Sequence, residues 1–255
     1  MNTIINTINN RISLRKYRDQ DIADKDLDTI IHSAMRAPTA GNMMLYTILV
    51  IKDQHTKEQL VKSCDHQPFI AKAPVVLVFL ADHQRWYDYY TYCQVKDYCR
   101  DNGIDYEEPC EADLLLAASD ALIAAQNAVI AAESLNIGSC YIGDIMENYE
   151  FHRDLFHLPQ WTFPVAMLTL GYYPEDMPRT PRERYAKDYI VFNETYKRLS
   201  DEALRDMFAK NDNKISPTNH YHANNFGQFM YGRKTGAEFS KEMRRSVKEA
   251  LKNWK

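Results

Sequence analysis

Apolar and polar positions recur along this chain with more than one period. Leu27, Ile30, Ile31, Ala34 and Met35 follow helical spacing, which predicts an amphipathic helix capped by Asp24 and ended by Pro38. Residues 4–12 predict a shorter first helix, and residues 57–63 another. The β-branched run YTILVI at 46–51 predicts a strand. Continuous apolar runs at 75–80 and 163–170 predict two more, buried on both faces. Residues 189–192 predict a fourth, short strand. The longest apolar stretch, 111–136, carries alanine at 117, 118, 121, 124, 125, 128, 131 and 132. A slim helix that is apolar nearly all round is a central or interface helix, and Asn136 and Gly138 are expected to end it. A loop is expected over 139–144, then helices over 147–156, 201–210 and 237–254, with a polar, mobile excursion at 211–236. Strands mixed with more helices, without regular βαβ spacing, predict an α+β fold with a mostly antiparallel sheet.

Composition narrows the function. The chain has 255 residues, 45% of them hydrophobic, enough for a substantial core. No composition break or repeat divides it, so a single domain over 1–255 is expected. A net charge of -4 argues against a nucleic-acid partner. The apolar stretch is interrupted by Asp113, Asp120, Gln126, Asn127 and Glu133, which reads as a buried helix and not a membrane span. The N-terminus shows no basic segment leading into an apolar run, and the five cysteines are irregularly spaced. Reduced thiols and a cytoplasmic location are the expectation. Residues 82–110 stand apart, with one Trp and six Tyr. They predict either a helix packing its aromatics on the protein body or a partner subunit, or the wall of an aromatic-binding pocket.

Candidate chemistry begins at Arg11, Ser13 and Arg15. Two guanidinium groups flanking a hydroxyl suit an oxyanion such as a phosphate, although solvated surface arginines would give the same pattern. Arg182 and Arg184 repeat the alternation in a Pro- and Arg-rich loop. If the two segments met, four guanidinium groups would converge. Gly138 to Gly143 superficially resembles a phosphate loop, but Asp144 stands where Lys-Ser/Thr would follow. Cys64 and His66 lack a second close pair to complete a metal site, and no CxxC or HExxH occurs. Neither paired catalytic carboxylates nor a nucleophile elbow is evident.

An ordered set of short segments resembles the FMN-dependent nitroreductase family. The set comprises Arg11-x-Ser13-x-Arg15-x-Tyr17, Ala37 to Asn42, Gln67 ahead of Ala73-Pro74, Asp120 through Gly143, Thr169 to Tyr172, and the Arg182/Arg184 loop. It covers residues 1–200. The tail, with Arg233-Lys234 and FSKEMRRSV at 239–247, is similar to the branch of oxygen-insensitive NADPH nitroreductases and NADPH-flavin oxidoreductases. The resemblance implies an intertwined homodimer with one FMN at each of two interface sites. It places Arg11, Ser13, Arg15, Arg182 and Arg184 on the FMN phosphate and ribityl chain. Thr39, Ala40 and Asn42 would come from the partner subunit, with Gln67 at the ring edge. Tyr141, Ile142 and Gly143 would lie flat against the isoalloxazine, the missing Cβ of Gly143 permitting close approach. Arg233 and Lys234 are candidates for the NADPH 2′-phosphate.

The implied activity is ping-pong hydride transfer from NADPH or NADH through FMN to a nitroaromatic, quinone or flavin acceptor. A flavin enzyme dedicated to one aromatic substrate and a non-catalytic FMN-binding protein are the alternatives. One departure matters. Where the family commonly carries a glutamine and then a proline or similar residue before an aromatic, Met43, Met44 and Leu45 precede Tyr46 here.

Overall fold

The computed structural model describes residues 2–255. In chain order it holds α1 (Thr3–Asn10), α2 (Asp24–Met35), β1 (Tyr46–Ile51), α3 (Gln54–Ser63), α4 (Phe69–Lys72) and β2 (Val75–Asp82). Next come α5 (Gln84–Tyr92), α6 (Val95–Asn102), α7 (Glu111–Ser134), β3 (Ile137–Ile142), α8 (Tyr149–Phe156) and β4 (Thr162–Tyr172). The remainder carries α9 (Asp201–Asp212), α10 (Phe226–Met230) and α11 (Glu238–Ala250).

Among the described residues, four strands form one antiparallel sheet in the order β1-β2-β4-β3. Every residue of β2 is buried, as its unbroken apolar run requires. Helix α7 lies on the sheet against β2, β3 and β4, and α2 packs on α7. The alanines explain the close fit: Ala117, Ala121, Ala124, Ala125, Ala128 and Ala132 are all fully buried. The opposite side of α7 is different. Leu115 is 70% exposed, and Leu116, Leu122 and Ile123 are also uncovered. Helix α1, which lies against α7, buries no residue and exposes Ile4, Ile5 and Ile8.

The chain divides into two compact units, one of Met1–Pro181 with Glu242–Lys255 and one of Arg182–Lys241. The first holds the sheet and the main core. In the second, Tyr185, Phe208 and Phe226 make an aromatic cluster, with ring centroids 5.3 and 6.0 Å apart.

Several expectations need correction. Residues 139–144 are not a loop, because β3 occupies most of them and contains Gly138, which therefore does not end a helix. The helix stop is Asn136, in the left-handed region at φ 61°. Residues 189–192 form no strand. Tyr189 ends a short 3-10 turn, and Ile190 and Val191 are exposed with nothing to pair against. Asp24 is not the cap of α2 but its first residue; Ala23 holds the cap position, and Asp24 pairs with Lys52 at 2.9 Å. The excursion at 211–236 is partly helical, containing α10 and a π turn over Tyr231–Thr235.

Candidate active site

The Arg11–Arg15 stretch is laid onto the end of the sheet. Ser13 and Ser139 form a parallel bridge, and the Leu14 N–H donates to the Ser139 carbonyl at 2.9 Å. This short parallel addition to β3 makes the chain locally extended, so alternate side chains share a face. Leu14 turns inward and is fully buried, while Ser13 and Arg15 stay exposed. Two glycines make room for the crossing. Gly138 and Gly171 stand opposite one another in the β3–β4 ladder. A Cβ on Gly138 would sit 2.6 Å from Leu14 Cδ2, and one on Gly171 would sit 2.5 Å from Tyr17 Cδ1. The Tyr17 hydroxyl locks the segment by donating to Thr169 Oγ1 at 2.7 Å. Burial pushes that phenol well above its ordinary pKa.

The guanidinium groups then face β3. Burial raises the Cys140 thiol pKa, and Arg15, Ser13 and Arg11 pull it back down. Burial likewise pushes the Tyr141 phenol up to about 12, opposed by Arg11. Arg11 Nε and Ser139 Oγ are both buried without a hydrogen-bond partner. A buried guanidinium nitrogen without an acceptor is chemically suited to an oxyanion. Arg15 also lies over the Phe69 ring, 5.6 Å from its centroid.

Gln67 reaches the same end of β3. Its amide donates to the Cys64 carbonyl at 3.1 Å and to Asp144 Oδ2 at 2.5 Å. Asp144 directly follows Gly143, where a Cβ would meet only Met146 Cε at 3.9 Å, leaving that face open. Arg11, Ser13, Arg15, Gln67, Tyr141, Ile142 and Gly143 are therefore brought together. Beyond them lies Glu147, 4% exposed, with Oε1 unpartnered. Burial first, then the neighbouring Asp144, pushes its carboxyl up to about 8.

Thr39, Ala40 and Asn42 lie elsewhere. Their loop is organised by Asp120, a 3% exposed carboxylate in the middle of α7. It accepts from the Ala40 N–H at 3.1 and 3.3 Å and from the Leu45 N–H at 3.3 Å. Arg11 acts on Glu133, thirteen residues further along the same helix, a separation of about 20 Å. One chain thus carries the two halves of the expected site at different places on α7. Arg182 and Arg184 are exposed in the second unit, where Lys210 pairs with the intervening Glu183. Arg233 and Lys234 are in that unit too, over the rings of Phe229 at 6.0 Å and Phe239 at 4.8 Å.

Two residues escaped the sequence reading. The structural role of Asp120 had a signal, since a lone carboxylate in an apolar helix must find donors. Arg179 had none. It stacks 3.6 Å from the Tyr173 ring centroid and donates to Asn136, and Tyr173 in turn donates to Glu133 at 2.7 Å. That puts another guanidinium beside the Arg11–Glu133 corner.

The chain is similar to several known proteins. The chain is 29% identical over 216 residues to "FMN reductase [NAD(P)H]" of Bacillus subtilis, covering 85% of this chain and 82% of the relative. It is 30% identical over 192 residues to the oxygen-insensitive NADPH nitroreductase of Salmonella typhimurium, covering 75% and 74%. Among solved structures, NfrA1 nitroreductase from B. subtilis superposes with a TM-score of 0.78 at 25% identity, covering 98% of each chain. Nitroreductase A from Vibrio parahaemolyticus gives 0.77 at 26%, again over 98% of each. Residues 8–172 match the model of the nitroreductase family, and the chain belongs to that family.

Proposed function

We propose that this chain is an NAD(P)H-dependent FMN oxidoreductase, working as a homodimer by a ping-pong cycle on nitroaromatic, quinone or flavin acceptors. The observation that carries the reading is the Arg11–Ser13–Arg15 run bridged onto β3, with Arg11 Nε buried and unpartnered. These donors fit a flavin phosphate. Arg11, Ser13 and Arg15 would hold it, Gln67 would bond the ring edge, and Tyr141 to Gly143 would offer an open backbone face. FMN, when bound, supplies the hydride-accepting and electron-donating chemistry. The chain's own residues bind and orient it, and exclude water from one ring face. The names of the relatives, an FMN reductase and an NADPH nitroreductase, support both the cofactor and the donor.

Two features support the dimer. The loop holding Thr39, Ala40 and Asn42 stands about 20 Å along α7 from the Arg11 corner, so a second chain would complete each site. The uncovered apolar faces of α1 and α7 supply an interface. Arg182 and Arg184 join the phosphate set in this reading, and Arg233 and Lys234 take the NADPH 2′-phosphate. Residues 1–255 then act as one nitroreductase-like domain, in the cytoplasm, with 211–255 as a C-terminal extension.

The test is the visible spectrum during FMN titration, then after anaerobic addition of NADPH or NADH. A bound flavin band that bleaches is expected. Arg15→Ala should weaken FMN binding by tenfold or more, as loss of about 1.5–3 kcal/mol from a charge-assisted bond implies. Protein that takes up no FMN refutes the reading. Replacing Arg233 and Lys234 should raise KM for NADPH more than for NADH, and equal effects would remove that assignment.

A further inference from the structure

The loop that departs from the family pattern is held in an unusual shape. Gly41, Asn42 and Met44 all lie in the left-handed region, at φ 55°, 57° and 52°. For methionine this conformation is uncommon and persists only where surrounding contacts over-determine it. They do so here. The Met44 N–H donates to Thr39 Oγ1 at 3.1 Å. Arg85 donates to the Met44 carbonyl at 3.2 Å, and Trp86 Nε1 to the Met43 carbonyl at 2.8 Å. Arg85 is itself fixed by Asp82 at 3.3 Å and by Thr47 Oγ1 at 2.7 Å. The first turn of α5, the start of the tyrosine-rich segment, is thus a clamp on the backbone at Met43 and Met44.

We propose that Arg85 and Trp86 are positioning residues that fix Met43 and Met44 as a thioether wall selecting planar aromatic acceptors. The proposal rests on the flavin reading above, which puts this loop at the site. Both methionines are half-buried and packed against the core. Thioethers are polarizable and make favourable contacts with ring faces and edges. Trp86 carries Tyr89 and Tyr90 beside it, with centroids 6.0 and 5.6 Å away, which extends the aromatic lining outward from the clamp. The two thioethers carry no charge and no hydrogen-bond donor of their own, so a flat electron-poor ring such as a nitroarene or quinone suits them better than a polar acceptor.

Trp86→Phe tests this, because it keeps an aromatic ring and removes the Nε1 donor to the Met43 carbonyl, together with the second ring of the indole. In protein without FMN, hydrogen exchange at the Met44 and Leu45 amides should quicken about tenfold. In holoenzyme, KM for a nitroarene and for a quinone should rise about tenfold. Reduction by NADPH, and reoxidation by ferricyanide, which needs no shaped pocket, should change less than twofold. Met44→Ala should reproduce the KM change without quickening the Leu45 amide tenfold. Unchanged acceptor KM in both variants overturns the proposal. An equal effect on ferricyanide overturns it as well, because the clamp would then act on the flavin. Wild-type protein that never bleaches would instead sink the flavin reading itself.

Discussion

Gly171→Ala probes the point at which the N-terminal segment is docked. The added methyl would stand 2.5 Å from Tyr17 Cδ1, 2.9 Å from Cγ and 3.0 Å from Pro74 Cδ. Carbon atoms rest about 3.5–4.0 Å apart, so the ring must retreat by about 1 Å. Cγ sits at the base of the ring, so a rotamer change alone does not relieve the contact. Overpacking of this kind costs about 1–3 kcal/mol. Moving the ring also breaks the Tyr17–Thr169 hydrogen bond, worth about 1 kcal/mol. The total is about 2–4 kcal/mol, measured as a shift of the urea midpoint at constant slope. A double-mutant cycle isolates the cause. In a Tyr17→Ala background the colliding ring is gone, and the same glycine substitution should cost less than about 1 kcal/mol. FMN affinity should fall with Gly171→Ala, because Arg15 is two residues from the displaced ring. An equal cost in both backgrounds, or stability loss with FMN affinity intact, would refute this account of how the arginines are placed.

Asp120→Ala leaves the Ala40 and Leu45 amides without their acceptor and should cost about 3–5 kcal/mol by urea denaturation, with faster exchange at both amides. His152 is fully buried beside Ser63, 2.8 Å from its hydroxyl, and burial lowers its pKa to about 4. The folded state resists the proton that the unfolded state takes near 6.5, so this contribution is intact above pH 6.5 and is lost as pH falls toward 4. Wild type should lose about 3 kcal/mol more than His152→Gln over that window, and parallel pH curves would refute it. Glu147 works in the opposite sense. Its carboxyl is raised to about 8, so stability is present below pH 4.5 and drains as pH rises through 8. Glu147→Gln should therefore be more stable than wild type at pH 8, by at least about 1 kcal/mol, and the gap should close toward pH 4.5.

Local pattern was a good guide wherever burial alone dictated the element. Helix α7 was legible because 24 consecutive residues are apolar enough to need cover on most sides. Strands β1, β2 and β4 were legible from unbroken apolar runs. Strand β3 was not. Its sequence, IGSCYI, gives up bulk at Gly138 so that Leu14 and Tyr173 can approach, a requirement set by residues far away in the chain. Residues 189–192 misled for the converse reason, since apolar character there answers no strand partner. At the candidate site, alternate spacing singled out Arg11, Ser13 and Arg15, which lie together beside β3. Their attachment to β3 rests on the Ser13–Ser139 bridge, which no local pattern encodes. Gln67 owes its place to Asp144, and the loop at Ala40 to Asp120; both are long-range contacts between single side chains.

Helix α7 also has a consequence for biosynthesis. Among the described residues it is the one helix long and apolar enough, by length and composition, to cross a membrane. Strand β4, which joins β2 to β3 in the sheet, ends only at Tyr172. At about 5–20 residues per second, the ribosome takes a few seconds to supply it after α7 is complete. During that interval α1, α2, β1, β2 and then β3 are made, but β4, which ties β2 to β3, is not. Until β4 is supplied, the apolar stripe that α7 turns to the sheet has only part of its final cover.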